Sequence, residues 1–360
     1  MNEISVLDRI RSVSTDKWIP LQASLELTYR CNERCTHCYV EKFWDDPGKV
    51  LTIEQWSRVL SELRSAGTLY IILMGGEAMI SPLFWQILKM SVEMGFHTSM
   101  ISNGQKLADR ATAQKLADHG CAQVTISLYS VYPEIHDGMT RVKGSHEKTI
   151  QAIENCLASG IDIGVNCLLT QENINGVFEL EKWCMDRNVQ MKVDPMVTPK
   201  LNGDITPTFL RASYSQLEWF YRERARRWPK STPKASQETA TSYVCNAAKG
   251  KCAVNPYGEL LPCIEIRESL GNLTTQSFTD IWMSETADRW RKLLVKDLKD
   301  YPLSADGSFC DHCPGMAKNE DKDPHQVSHY ARKLAEIKRA VNREIAAQAQ
   351  SQNKLDVAST

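Results

Sequence analysis

Between Gln22 and Val193 the sequence alternates short apolar segments with amphipathic ones, and this rhythm limits the fold more than any other feature. Six segments read as strands: Gln22–Thr28, Tyr70–Met74, His97–Ile101, Gln123–Leu128, Ile161–Leu169 and Val189–Val193. Amphipathic stretches near 52–66, 82–95, 106–119, 148–159 and 177–187 separate them and read as helices. The first opens on Thr52-Ile-Glu-Gln, a capping-box-like start. Short apolar strands alternating with helices call for parallel β-structure with right-handed crossovers. A doubly wound sheet and a partial barrel both satisfy the pattern. In either, ligands collect at the C-terminal ends of the strands. The unusual residues fall there: Cys31–Cys38, Gly75-Gly76-Glu77, Ser102-Asn103-Gly104 and Ser127.

After Pro199 the rhythm breaks. Residues 208–228, rich in Trp, Tyr and Arg, read as a packed helix, and Pro229–Ser242 as a linker. His329–Gln350 reads as a helix with a solvated Lys/Arg face, followed by a frayed end. The expected division is a lead-in over 1–20, the α/β unit over 21–200, a helical linker over 201–243, a Cys-rich unit over 244–315, and a helix with tail over 316–360.

With 42% apolar and 24% charged residues, disorder and low-complexity classes are excluded. Lys+Arg 43 against Asp+Glu 44 leaves no global field to hold nucleic acid. The apolar run Leu69–Met74 is far short of the ~20 residues that span a bilayer. The charged N-terminus has no signal-peptide core, so a cytoplasmic location is expected. Twelve cysteines in such a chain point to metal or redox chemistry rather than to disulfides. Cys121, Cys156, Cys167 and Cys184 stand singly and read as small core residues.

The others form two groups. Cys31-x3-Cys35-x2-Cys38 places three thiolates on one short loop. Such a set can hold three irons of a cubane and leave the fourth open. A zinc knuckle with His37 as fourth ligand is the alternative. The second group is Cys245, Cys252, Cys263, Cys310 and Cys313, with a hairpin expected about Asn255–Gly258. A zinc ribbon is the alternative there.

The first motif, following a strand and followed by Tyr39, resembles the radical S-adenosylmethionine (SAM) enzymes. Gly75-Gly76-Glu77, Ser102-Asn103-Gly104, Ser127, the stretch His136–Ser145 with Arg141, and Ser159–Asn173 with Asn166 match further elements in order. The resemblance covers residues 21–200 and implies a partial (β/α)6 TIM-like barrel. It implies a [4Fe-4S] cluster on Cys31, Cys35 and Cys38, and SAM bound by His37, Gly75, Gly76, Glu77, Asn103, Ser127, Arg141 and Asn166. Two positions depart from it. Ala78 follows Gly-Gly-Glu where the family usually has Pro, and Tyr129 stands where it often has Asp.

The second cysteine group resembles the auxiliary-cluster domains called SPASM and, in reduced form, Twitch. That implies a small α+β cap with one further [4Fe-4S] cluster on Cys245, Cys263, Cys310 and Cys313, with Cys252 as an alternative. The implied activity begins with electron transfer to SAM, giving a 5′-deoxyadenosyl radical that removes hydrogen from an unactivated C–H bond. The implied substrate is a ribosomally made precursor peptide, crosslinked or otherwise oxidised. Only 30 residues precede Cys31, too few for the peptide-recognition domain many such enzymes carry, so a separate leader-binding protein or docking on the cap is expected. A flavodoxin- or ferredoxin-type electron donor is expected as well. Tetrapyrrole or quinone-cofactor maturation, sulfatase maturation, epimerisation and a non-enzymatic zinc-bound interaction module are the alternatives.

Overall fold

The computed structural model describes residues 6–41, 44–46, 49–229, 235–236, 238–302 and 310–358. The centre of the linker and residues 303–309 of the Cys-rich region therefore lie outside the described residues.

The six expected strands form as β1 (Gln22–Glu26), β2 (Tyr70–Met74), β3 (His97–Ser102), β4 (Gln123–Ser127), β5 (Asp162–Leu168) and β6 (Gln190–Asp194). All five pairings among them are parallel and follow chain order, β6-β5-β4-β3-β2-β1. A doubly wound sheet reverses its strand order within its βαβ units; β1 to β6 run in unbroken succession, the order of a partial barrel.

The crossovers carry α2 (Ile53–Ser65), α3 (Phe84–Glu93), α4 (Arg110–Asp118), α6 (Ser145–Ala158) and α7 (Val177–Met185). Thr52 and Gln55 close a reciprocal capping box at the start of α2. The apolar stripes of these helices, among them Trp56, Leu60, Phe84, Ile87, Leu116 and Ile153, pack on Leu25, Leu73, Met100, Val124 and Val165 of the strands. Cys121, Cys156, Cys167 and Cys184 are buried in this same core.

In the first 200 residues, two helices were not legible in the sequence. α1 (Val6–Lys17) occupies the lead-in and ends where Trp18 takes a left-handed φ of 53°. The Trp18 carbonyl accepts a 2.6 Å hydrogen bond from the Trp282 indole, which docks the lead-in on the C-terminal region. α5 (Pro133–Thr140) begins on a proline and contains Gly138, a composition that weakens a helical pattern.

The expected hairpin forms from β7 (Lys251–Val254) and β8 (Glu259–Leu261). It is not a separate layer. β7 pairs in parallel with β1, Gln22 opposite Lys251, and β9 (Gly271–Asn272) completes a nine-stranded sheet. The Cys-rich region, with α9 (Phe278–Trp282), α10 (Glu285–Arg291) and α11 (Pro314–Glu320), thus continues the edge of the barrel.

α8 (Tyr214–Arg227) and α12 (His329–Ala358) pack on each other and on α7. Opposite the expected Lys/Arg face, α12 carries an apolar face that the sequence reading did not assign. Tyr330, Leu334, Ile337 and Val341 recur at helical spacing and are buried against Phe178, Leu217 and Phe220. Leu334→Ala should therefore destabilise the protein by about 2–5 kcal/mol, read as a lowered denaturation midpoint.

Candidate active site

The Cys31–Cys38 loop leaves the C-terminal end of β1 and is held on several sides. Asp45 accepts the Tyr29 amide at 2.7 Å and also the Thr28 hydroxyl. From β2, the Gly76 amide donates to the Thr28 carbonyl at 2.8 Å and the Glu77 amide to the Arg30 carbonyl at 2.9 Å. Gly75 and Gly76 are required by this contact. A Cβ on Gly75 would lie 2.2 Å from the Thr28 carbonyl oxygen, and one on Gly76 2.4 Å from that of Arg30. The glycines admit the cysteine loop itself, a role their motif alone does not disclose.

Glu77 is buried, and its carboxylate accepts the Ser102 hydroxyl, the Asn103 amide at 2.9 Å and the Met79 amide at 3.2 Å. Burial raises its pKa, opposed by these hydrogen bonds. Asn103, so fixed, donates from its side chain to Asn32 at 2.8 Å and to the Cys31 sulfur at 3.8 Å. Three sequence-distant elements thus converge on Cys31.

Burial pushes the Cys31 thiol up to about 12 and raises Cys35 and Cys38 as well. As free thiols they are protonated at neutral pH, and a bound cation would supply the charge that ionises them. Among the described residues no three His, Cys, Asp or Glu groups converge as a single ion would require. His37 instead sets its ring edge-on to Tyr129, with centroids 4.6 Å apart, and its buried Nδ1 has no hydrogen-bond partner. Cys31 and Cys38 are both near enough to raise the Cys35 thiol, so the three sulfurs of this loop make a donor set that fits a polynuclear iron group taking one thiolate per metal.

A cavity of about 990 Å³ opens beside the loop. Its barrel wall carries His37, Tyr39, Ser127, Tyr129 and Asn166, and its opposite wall carries Glu265, Cys310 and Cys313. Three of the expected SAM contacts, His37, Ser127 and Asn166, therefore share one space. Arg141 does not line it. It is exposed, with a left-handed φ of 57°, just past the end of α5. Glu77 and the two glycines lie behind the loop rather than in the wall.

In the cap, Cys263 follows β8 and Cys313 precedes α11. Cys245, Cys263 and Cys313 are near enough that each of the first two raises the pKa of the third, and burial pushes Cys263 up to about 11. Cys310 packs among Leu293, Leu298 and Val327, with Asp311 as a charged neighbour. Cys252 is in β7 inside the barrel core, with burial alone shifting its thiol. C252A should therefore leave the iron content of reconstituted protein unchanged, whereas C263A should lose about four irons per chain, the content of one cube, by colorimetric assay.

Sequence reading missed the groups that join the two cysteine loops. Arg267 donates from both terminal nitrogens to Glu26, at 2.9 Å each, and also to the Tyr29 hydroxyl. Glu265, lining the cavity two residues after Cys263, is pushed up to about 7 by burial, partly offset by Arg267. A signal existed for the first: Glu26 lies in a strand buried on both faces, where a carboxylate requires a partner.

Comparison with known proteins places the two cysteine groups in two family domains. Residues 25–184 match the Radical SAM superfamily model, and residues 245–314 match SPASM, an iron-sulfur cluster-binding domain. The chain thus carries a radical SAM domain followed by a SPASM domain. It is similar to the AdoMet-dependent heme synthase of Methanosarcina barkeri, at 24% identity over 76% of this chain and 84% of that one. It is similar to the subtilosin biosynthesis protein AlbA of Bacillus subtilis, at 25% identity over 82% and 67% of the two chains. In fold it resembles Streptococcus suis SuiB bound to its precursor peptide SuiA, with a TM-score of 0.67, 17% identity, and coverage of 92% and 83%.

Proposed function

We propose that this protein is a radical SAM enzyme that oxidatively modifies a ribosomally made precursor peptide. The observation that carries the reading is the cavity enclosed between the Cys31–Cys38 loop and the Cys310–Cys313 segment. It is large enough for a nucleoside and a substrate side chain together, and drug-sized ligands occupy pockets of about 300–1,000 Å³. Relatives that include AlbA and the peptide-bound SuiB support a peptide as substrate.

When bound, the iron-sulfur cluster and SAM supply hydrogen-atom abstraction from an unactivated C–H bond. The chain holds and shields them. Cys31, Cys35 and Cys38 each give one thiolate. Gly75, Gly76 and Glu77 hold the loop that carries these thiols, and Glu77 fixes Asn103 at its edge. His37, Ser127 and Asn166 orient the nucleoside from the cavity wall. Arg141 reaches SAM only by turning in from its exposed site. Cys245, Cys263, Cys310 and Cys313 hold the auxiliary cluster, and the cap keeps water from the reacting groups. Peptide recognition falls either to docking on the cap itself or to a separate leader-binding protein.

The test is incubation of anaerobic holoenzyme with SAM, dithionite and the small peptides encoded beside its gene. The expected result is a peptide lighter by a pair of hydrogens, seen by mass spectrometry. Unchanged masses for every such peptide, with SAM still consumed, would count against a peptide substrate. A second reading, tetrapyrrole modification, is favoured by the extent of the match to the heme synthase. It predicts a shifted porphyrin absorption band when the holoenzyme is titrated with a carboxylated porphyrin.

A further inference from the structure

We infer that Lys249 is the counter-ion of the auxiliary cluster, and that its buried ammonium sets how readily this cluster takes up an electron. The inference rests on the assignment of that cluster to Cys245, Cys263, Cys310 and Cys313, and adds to it a residue that is not a ligand.

Lys249 is only 2% exposed and is among the largest buried side chains of the chain. A buried ammonium calls for an anion. The comparable buried cations have one: Arg267 pairs with Glu26, and Arg291 with Asp288. The ammonium of Lys249 instead lies 3.5 Å from the centre of the Tyr243 ring, a contact that eases burial without cancelling the charge. Burial lowers its pKa to about 8, and among the described residues the group that opposes this is the Cys245 thiol, not a carboxylate.

The backbone fixes this lysine beside the cysteines. It lies on a turn between Cys245 and β7, where the Lys249 and Gly250 amides both donate to the Asn246 carbonyl at 3.2 Å. The Ala248 amide donates to the Pro262 carbonyl at 3.0 Å, next to Cys263. Ala248 takes a left-handed φ of 53°, which alanine rarely adopts, so the surrounding contacts hold the turn in place. The turn therefore ties the segment carrying Cys245 to the one carrying Cys263. Lys251, at its end, also acts on Cys263, but it shares its charge with Glu265. An iron-sulfur cube on four thiolates is an anion, and gaining one electron adds a further negative charge. A fixed cation beside it favours the reduced form.

The test is a redox titration of anaerobic holoenzyme with dithionite, followed by electron paramagnetic resonance, for wild type, K249M and K249R. It is repeated in the C31A/C35A/C38A background, where the signal belongs to the auxiliary cluster alone. The inference predicts that K249M makes this cluster about tenfold harder to reduce, a fall of ~59 mV for a one-electron couple. K249R should stay near wild type, and the potential of the first cluster should not move. Loss of auxiliary iron in K249M but not in K249R would support the counter-ion role in another way. Retained iron with an unchanged auxiliary potential in K249M would overturn the inference. So would loss of auxiliary iron in both variants, which would make Lys249 a packing residue. A wild type that cleaves SAM but shows no auxiliary signal would remove the cluster, and the inference with it, while leaving the radical chemistry standing.

Discussion

Arg267→Met is expected to destabilise the protein by about 3–5 kcal/mol, because it leaves the Glu26 carboxylate buried and unpaired. Glu26 is 1% exposed and Arg267 15%, and their bond is bidentate. Desolvation has already been suffered by both groups, so removing one partner strands the other. The double variant E26Q/R267M should recover much of the loss, since it removes the stranded charge as well. An internal control is the exposed pair Arg222–Glu344, at 49% and 44% exposure. Arg222→Met should cost less than about 1 kcal/mol. Denaturant midpoints of anaerobic holoenzyme would decide. Equal midpoints for R267M and R222M would mean that the buried pair does not join the barrel to the cap.

Gly76→Ala should produce the second large effect, directed at metal binding. The new methyl would meet the carbonyl oxygens of Arg30 at 2.4 Å and Tyr29 at 2.6 Å. Both are backbone atoms on the approach to Cys31, so relief requires the cysteine loop to move. The expected product is folded protein that keeps the auxiliary iron and loses about four irons at the first site. Gly138, in α5, is the contrasting position, with nothing within 4 Å of an added Cβ. Gly138→Ala should be neutral or stabilising by up to about 1 kcal/mol. Iron content and thermal melting of the two variants side by side make the comparison.

The parts of this molecule that were legible in the sequence are those whose determinants are local. The strand Tyr70–Met74 is a short apolar run and Gln123–Ser127 alternates polar with apolar residues, and the Thr52–Gln55 capping box lies within four residues. The three cysteines of the first loop are equally compact. Non-local determinants were not legible. Nothing near Lys251 announces that β7 will pair with β1 more than 200 residues earlier, and so the cap was read as a separate unit. The order of the sheet decided between barrel and doubly wound architectures, and sequence periodicity contains no order. Gly75 and Gly76 were recognised, yet what they accommodate, the backbone of residues 28–30, could be seen only in three dimensions. Cys252 shows the same limit. Its spacing places it among the cluster cysteines, while its strand buries it in the barrel core.

The most direct measurement is deoxyadenosine release by anaerobically reconstituted protein given SAM and dithionite, compared with the C31A/C35A/C38A variant. The account predicts release by the wild type, none above background by the variant, and a fall in iron from about eight to about four per chain. Undiminished release by the variant, or a wild type that binds its full iron and never cleaves SAM, would contradict it.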